Sequence, residues 1–537
     1  MANPLFAKTK LDSFKTFLSS SSGLIFILLL AVLLRVPAIF QELPPYLFCD
    51  ESMFADEAFA MLQQGRMLTD QFKAGGLNIY IPLVIAKTIF FFNDQIFSYT
   101  LFGYTNFVIL GRIAYVLLLN PLTLVFIYFS AVELFQKKTI GLCAALAFLI
   151  SPFLLANSRM WYPDHYIVFF SAGLFYFLIR HYKAPLHRLN YPFVGIFLAL
   201  TISTKYTGLL LVPVVGLVLL MNLFWPLNRI RSYTRANWRL IFKWLCTAAL
   251  CSLVVLLVAN FSAVVNTPKF ILDFNFNVEN YRQYGSLGWH GVVFYLFTLY
   301  CLSLGGFGVI AIYFGYQDIF KAHPRLILLI LAPIGLATYL GLSGLVLFRN
   351  MTIFLPLIFL LAGVGIYRLC TYASAGTRLQ ITLSVLVLIG IVFSQLPQLV
   401  VTIKRDFATD SRLLAEDWLQ KNIPTTSSVG TNEFCAGPSP AKVAGLSAQI
   451  DPFMKQNLDF YVFDTYWASV FEPIYKGNKG ALQEWDQKYL HFYFLNDIDI
   501  FRWKTQPLRV ESVVPSGYHI VKWFKSNGPD VLILQKK

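Results

Sequence analysis

Long apolar runs separated by short polar and basic stretches set the pattern of this chain. The runs fall at roughly 22–41, 112–135, 139–156, 164–181, 191–207, 208–224, 240–262, 290–315, 326–347, 349–370 and 379–398. A helix that crosses a bilayer needs about 20 mostly apolar residues, so the pattern predicts about eleven spans. The runs are continuously apolar and do not alternate, and backbone polar groups must be satisfied inside lipid, which favours helices over a barrel. The first run is long and has no small-residue cleavage site after it, so it reads as a retained span. Beyond residue 400 the pattern changes. A helix near 410–421 carries Leu413, Leu414, Trp418 and Leu419 on its apolar side, and short segments at Ser428 and Val429, Leu458–Val462 and Val531–Gln535 read as strands. The predicted fold is an all-α polytopic membrane domain over 1–400, with a large outer loop at 42–111, followed by a small soluble α/β domain over 401–537.

Composition agrees with this division. Hydrophobic residues make up 57% of the sequence and charged residues 13%, against about 25% charged in a water-soluble domain. The net charge of +15 reads as topology, not as nucleic-acid binding. Lys8, Lys10 and Lys15 precede the first span, and Lys137 with Lys138 follow the second. Lys183 and Arg188 follow the fourth, Arg229 to Arg239 the sixth, Lys321 and Arg325 the eighth, and Arg368 and Arg378 flank the loop after the tenth. All these connections fall on one side, which the positive-inside rule makes the cytoplasm. The expectation is therefore a multi-pass protein of the inner or plasma membrane, with a cytoplasmic N-terminus and an outer tail. Residues 77–93 would invert every later loop if counted as a span; with Pro82 and Lys87 inside, they read as a helix in the outer interface, beside a more polar helix at 52–65. The seven cysteines have no metal-like spacing. Nothing in the sequence demands a bond between Cys49 and Cys435, the two that would face the outer side.

This topology gathers unusual polar residues on the outer face. The first outer loop holds Asp50, Glu51, Asp56 and Glu57. The next holds Arg159, Asp164 and His165, in NSRMWYPDHY. A short link, STKYTG, holds Lys205 and Tyr206; the loop at 263–289 ends at His290; and Arg349 opens the tenth span. Ionisable groups at span edges are functional candidates by default. Each also has a plainer explanation: a solvated acidic loop, an Arg159–Asp164 ion pair, a snorkelling Lys205, a topology anchor at Arg349. Their combination is what points to chemistry. In the tail, Asp497-Ile498-Asp499 has the spelling of a metal site in soluble nucleotide-sugar enzymes, but in its strand-rich context it reads as a turn or strand edge. No phosphate-binding glycine loop accompanies it.

The ordered set resembles a family. An Asp50-Glu51 pair follows the first span and Arg112 opens the second. SR…D (Arg159, Asp164) precedes the fourth, TKY (Lys205) separates two spans, Gly288-Trp289-His290-Gly291 precedes a later one, and Arg349 with Pro356 comes near the end. This resembles the membrane-embedded glycosyltransferases of the C superfamily (GT-C), the group of protein O-mannosyltransferases and lipid A aminoarabinose transferases. The tail, from DSRLLAEDWLQKNIP to SNGPDVLILQKK, resembles the exported ends of bacterial members. One departure is Gly75-Gly76-Leu77 where the family's interfacial helix opens on proline.

The resemblance implies transfer of a sugar from a polyprenyl-phosphate carrier, dolichyl or undecaprenyl, to a lipid, glycan or protein acceptor on the outer side, with inversion. It places the acidic catalytic residue at the Asp50-Glu51 pair. Asp50 is the expected general base, with Glu51 supporting or exchanging that role, and Asp164 is a second carboxylate. Lys205, Arg349, His290 and Arg159 would hold the donor phosphate. Asp50, Glu51 and Asp164 are oxygen ligands for a divalent metal if one is used; the residues leave open a metal or no cofactor at all. Membrane lipids are the other expected partners. A transporter or flippase is the competing reading, and would place charges near mid-span and discontinuous helices in repeated halves.

Overall fold

The computed structural model describes residues 21–40, 49–70, 72, 75–92, 103–157, 161–224, 238–283, 288–297, 299–300, 303–342, 348–406, 411–431, 440–450, 456, 458–464, 518–524 and 531–537. By contacts the chain divides into two units. The first comprises Met1–Val36, Glu57–Ser98 and Leu110–Leu399; the second comprises Pro37–Asp56, Tyr99–Ile109 and Val400–Lys537.

The helical part begins with α1 (Ser21–Leu33), α2 (Cys49–Gln63) and α3 (Leu77–Phe92). A helix of 32 residues follows, α4 (Tyr104–Phe135), then α5 (Lys138–Leu149), α6 (Pro163–Lys183) and α7 (Asn190–Thr204). Next come α8 (Val212–Phe224), α9 (Trp238–Ala259), α10 (Thr267–Gln283) and α11 (Gly288–Phe297). The series closes with α12 (Ser303–Ala322), α13 (Ile327–Leu342), α14 (Leu355–Ala375) and α15 (Arg378–Asp406).

Among the described residues five helices are long and apolar enough to cross a membrane: Ser22–Ile39, Tyr104–Phe135, Trp238–Ala259, Asn350–Ala375 and Arg378–Pro397. Several other apolar runs form shorter helices because the sequence interrupts them. Helix α5 stops at Leu149, and Ser151-Pro152 starts a separate short helix, since proline lacks the N–H that a continuing helix needs. The run at 290–315, predicted as one span, is two helices. Leu304 and Gly305 leave the helical region inside Ser303–Ala322, and Gly305 has a φ of 74°, a conformation that only glycine adopts without steric penalty.

The helices differ sharply in burial. Asn350–Ala375 is buried over 78% of its most apolar window and forms the centre; Trp238–Ala259 is buried over only 11% and lies at the periphery. Helix α14 packs against α12 and α5, while α7 lies between α6 and α9. Glycine sets the closest approaches. A Cβ on Gly365 would fall 1.7 Å from the Ala311 carbonyl oxygen, and one on Gly315 1.9 Å from that of Leu361. These reciprocal contacts bring the α12 and α14 backbones together, the way helices associate where lipid removes the hydrophobic drive. At the C-terminal end of α14, Arg368 pairs with Asp318 at 2.9 Å and lies over the rings of Phe314 and Tyr372.

In the second unit, α16 (Ser411–Asn422) precedes β1 (Val429–Thr431), β2 (Ala448–Ile450), β3 (Phe460–Asp464), β4 (Tyr518–Phe524) and β5 (Val531–Lys536), in the order β2-β1-β3-β5-β4. Strand β1 is parallel to β2 and β3; β5 is antiparallel to β3 and β4. Alternation along β5 serves two cores. Val531 and Ile533 join Ala415, Leu419 and Val429, while Leu532 and Leu534 join Tyr461 and Tyr518. Of the predicted apolar side of α16, Leu419 is in the core and Trp418 packs against it, but Leu413 and Leu414 are exposed; Ser411, Ala415 and Leu419 form the buried i, i+4 row, with Arg412 buried beside it.

Strands β1 and β3 are tied at their start. Ser428 donates to Asp459 Oδ2 from its backbone N (2.8 Å) and its Oγ (2.6 Å), and these bonds hold the Asp459 carboxyl below its usual range. A depressed folded pKa adds stability above the unfolded value of about 3.9, and that stability is lost as pH falls through the folded value. Hydrogen exchange on the intact protein is therefore expected to show protection of 428–431 falling at acid pH. In Asp459→Asn protection is lower at neutral pH and loses that acid step.

Candidate active site

Three helix breaks of the first unit meet at Asp164. Tyr162 is extended (φ −138°, ψ 144°) and Pro163 occupies the first turn of α6, where its missing N–H is not needed. Asp164 follows in the same turn, where the helix dipole favours a negative charge. Lys205 ends α7 in an extended conformation (φ −152°, ψ 132°) before a 3-10 turn over Tyr206–Leu211. A second 3-10 turn, Phe348–Phe354, leads into α14 and carries Arg349 and Thr352.

Lys205 Nζ lies 2.8 Å from Asp164 Oδ1, and Thr352 Oγ1 donates to the same oxygen at 3.2 Å. The two charged side chains are 16% and 8% exposed, so the pair is sheltered from water: its attraction is less screened than at the surface, and the cost of desolvating both charges offsets that gain. His165, the next residue, is buried with its ring 4.4 Å from that of Tyr115. Asp164 and Lys205, both singled out in the sequence, are thus in contact.

The segment after α2 is sewn to this region. Gly75 N donates to Thr204 O at 3.2 Å, and Asn78 Nδ2 donates to both Thr204 O and Gly75 O at 3.0 Å. Trp161, fully buried, donates from Nε1 to Asn78 O at 2.8 Å. A Cβ on Gly75 would sit 1.7 Å from the Ser203 carbonyl oxygen, and one on Gly76 would sit 2.9 Å from Ala259 O. The departure from proline therefore has a steric reason: α3 begins in van der Waals contact with the end of α7. Tyr206 donates to Phe72 O at 3.2 Å and meets the rings of Phe270 and Phe274. Further out, Glu57 accepts from Arg66 at 3.2 Å and from Asp70 N at 2.9 Å, and Thr69 N donates to Ser262 Oγ at 2.9 Å.

The other candidates are placed as follows. Asp50 and Glu51 lie in α2, where Glu51 is fully buried. Arg349 lies in the turn that carries Thr352, and His290 opens α11. The side chains of Asp50, Arg349 and His290, and the whole of Arg159, fall outside the described residues. Among the described residues no three His, Cys, Asp or Glu come together as ligands for a cation, and the Asp164 carboxylate is engaged by the Lys205 ammonium. Sequence reasoning missed Thr352, Asn78 and Trp161. The first two were visible only as polar residues inside apolar runs.

The fold is similar to that of solved oligosaccharyltransferases. Residues 25–272 match the family described as Dolichyl-phosphate-mannose-protein mannosyltransferase, a stretch that contains Asp50, Glu51, Asp164 and Lys205. Among solved structures the chain is similar to the oligosaccharyltransferase AglB from Archaeoglobus fulgidus in complex with an inhibitory peptide and a dolichol-phosphate. That match has a TM-score of 0.52 and 13% identity over 86% of this chain and 72% of that one. An Archaeoglobus fulgidus oligosaccharyltransferase complex with Zn and sulfate gives 0.53 and 14%, over 86% and 70%. ArnT from Cupriavidus metallidurans bound to undecaprenyl phosphate gives 0.49 and 14%, over 84% and 95%. No curated protein matches the chain by sequence.

Gly75→Ala forces the Ser203 carbonyl aside and is expected to cost about 1–3 kcal/mol, as overpacking does. Gly216→Ala, in open space on α8, is expected to be neutral or to stabilise by about 0.5–1 kcal/mol. Thermal unfolding read by tryptophan fluorescence separates the two. In the same assay Lys205→Met, which strands a buried carboxylate, is expected to cost about 3–5 kcal/mol, while Asp164→Leu/Lys205→Met recovers most of that loss.

Proposed function

We propose that the protein is an integral-membrane glycosyltransferase that moves a sugar from a polyprenyl-phosphate carrier to an acceptor hydroxyl on the outer side of the membrane, inverting the anomeric carbon. The observation that carries this reading is the sheltered Lys205–Asp164–Thr352 contact, built where three helix breaks meet in a glycosyltransferase fold. The match of residues 25–272 to a mannosyltransferase family supports the donor class. So does the dolichol-phosphate in the AglB complex, which belongs to that protein.

In the proposed reaction the acceptor oxygen attacks the anomeric carbon as its bond to the carrier phosphate breaks. The Asp50-Glu51 pair takes the hydroxyl proton, with Asp50 as base and Glu51 orienting the acceptor, or the reverse. The carrier leaves as a lipid phosphate, a good leaving group that needs charge stabilisation more than protonation. Lys205, Arg349, His290 and Arg159 supply it. Asp164 fixes the Lys205 ammonium, so the cation meets the phosphate in one position. About eleven spans, a cytoplasmic N-terminus and an outer tail complete the proposal, the remaining spans being the shorter apolar helices.

The test is transfer from labelled polyprenyl-phosphate sugars in membranes. Asp50→Asn is expected to lose at least about 10²-fold in rate, the usual contribution of a general base. Asp164→Leu/Lys205→Met is expected to stay inactive although its stability is restored. Full activity in Asp50→Asn sinks that residue's role. Absence of any transfer by the wild type, across dolichyl and undecaprenyl carriers, sinks the reading and revives the transporter.

A further inference from the structure

Helix α12 is interrupted close to its start. Leu304 (φ −141°, ψ 17°) and Gly305 (φ 74°, ψ 174°) leave the helical region, and the regular helix begins afresh at Gly306. A helix start leaves its first N–H groups without intrahelical acceptors. This one lies within a long apolar run, where solvent is not at hand and unmet backbone groups are costly.

The element that faces the break is α15, which over Arg378–Pro397 is long and apolar enough to cross a membrane. A Cβ on Gly305 would fall 2.5 Å from both Gln395 Nε2 and Ser394 Oγ, so these two polar side chains lie directly against the break. The Phe307 ring lies over Gly390 of the same helix and fixes the two elements against each other. The polar groups at this contact do not balance among themselves. Ser394 Oγ donates to Ile391 O at 2.9 Å, and Gln395 Nε2 donates to Ser394 Oγ at 3.2 Å. Ser303 Oγ donates back to Tyr300 O at 3.2 Å. Among the described residues Gln395 Oε1 has no partner, although Gln395 is only 3% exposed.

A buried amide oxygen needs a donor, and the N–H groups of the new helix start need an acceptor. A molecule that is donor and acceptor at once meets both demands. It would serve equally if the Gln395 amide were turned end for end, presenting N–H in place of oxygen. The positive end of the helix dipole disfavours a cation here, and the Gln395 oxygen disfavours an anion. We infer that the break is a hydration site inside the helical unit, a bound water held by Gln395 Oε1, Ser394 Oγ and the first N–H groups of α12. The water takes over bonds that the break gives up, so the chain turns at Leu304 and Gly305 without leaving its polar groups unmet. The inference concerns hydration alone and stands whether or not the protein transfers sugar.

Hydroxyl-radical footprinting of the full-length protein in lipid nanodiscs tests it, because radicals formed from a bound water label the side chains beside it. Leu304, at the break, and Leu361, within α14, are both fully buried. Leu304 is expected to be modified several-fold faster than Leu361. Gln395→Met keeps the volume and removes the amide, and in that variant the excess at Leu304 is expected to vanish. Leu361 staying slow shows that the variant is folded; where both rates rise, Ser394→Ala is read in its place. Equally slow modification of the two leucines in the wild type overturns the inference. So does an excess at Leu304 that the folded variant leaves unchanged, since water would then reach the break without being held by these side chains.

Discussion

Inside an apolar phase every backbone N–H and C=O needs a partner, and this constraint determines where the polar side chains of the first unit sit. A continuous helix satisfies itself; a broken one leaves groups over. At the end of α7 the freed groups are met one by one. Lys205 N donates to Thr201 O, Gly75 N and Asn78 Nδ2 donate to Thr204 O, and Asn260 Nδ2 donates to Ser203 Oγ and Leu256 O. Three segments far apart in sequence are thereby stitched at one helix end. Those stitches hold Lys205 extended.

Such a break also serves chemistry. A side chain within a continuous helix points along the cylinder and is spaced by its turns. At a break it can project along the axis, toward other helix ends. Asp164, Lys205 and Thr352 each sit at such a terminus, and this is why residues separated by 41 and 188 positions share one oxygen atom. The ion pair orders the site at the expense of conformational freedom, and Thr352 satisfies part of the carboxylate's remaining bonding capacity.

The sequence made the helices legible and their interruptions only partly so. The helices near 52–65 and 77–93, the break at Lys205 and the strand at Val531 all follow from periodicity and punctuation, and the structure has elements there. The break inside 290–315 was hidden because Ser303-Leu304-Gly305-Gly306 interrupts a helix without interrupting apolarity. In α16, Leu413 and Leu414 looked like the core side by composition, but Ala415 and Leu419 have the spacing that meets the sheet. The contact between Asp164 and Lys205 could not be derived from spacing at all. Topology put both residues on the outer face and the resemblance grouped them in one site, but their distance is a product of tertiary packing. The choice of Gly75 over proline looked like a loss of definition in the sequence, whereas it reflects a backbone approach too close for any Cβ.

The reciprocal glycine contacts between α12 and α14 have a thermodynamic consequence. Helices joined by close approach within lipid or detergent exchange apolar neighbours for apolar neighbours when they separate, and little of that surface becomes wet. The heat-capacity increment of unfolding comes from hydrating apolar surface. In this chain that increment belongs chiefly to the five-stranded unit, whose two small cores do meet water when they open. The curvature of stability with temperature, and any weakening in the cold, is therefore a property of the sheet-bearing unit, while the helical unit responds to heat almost linearly.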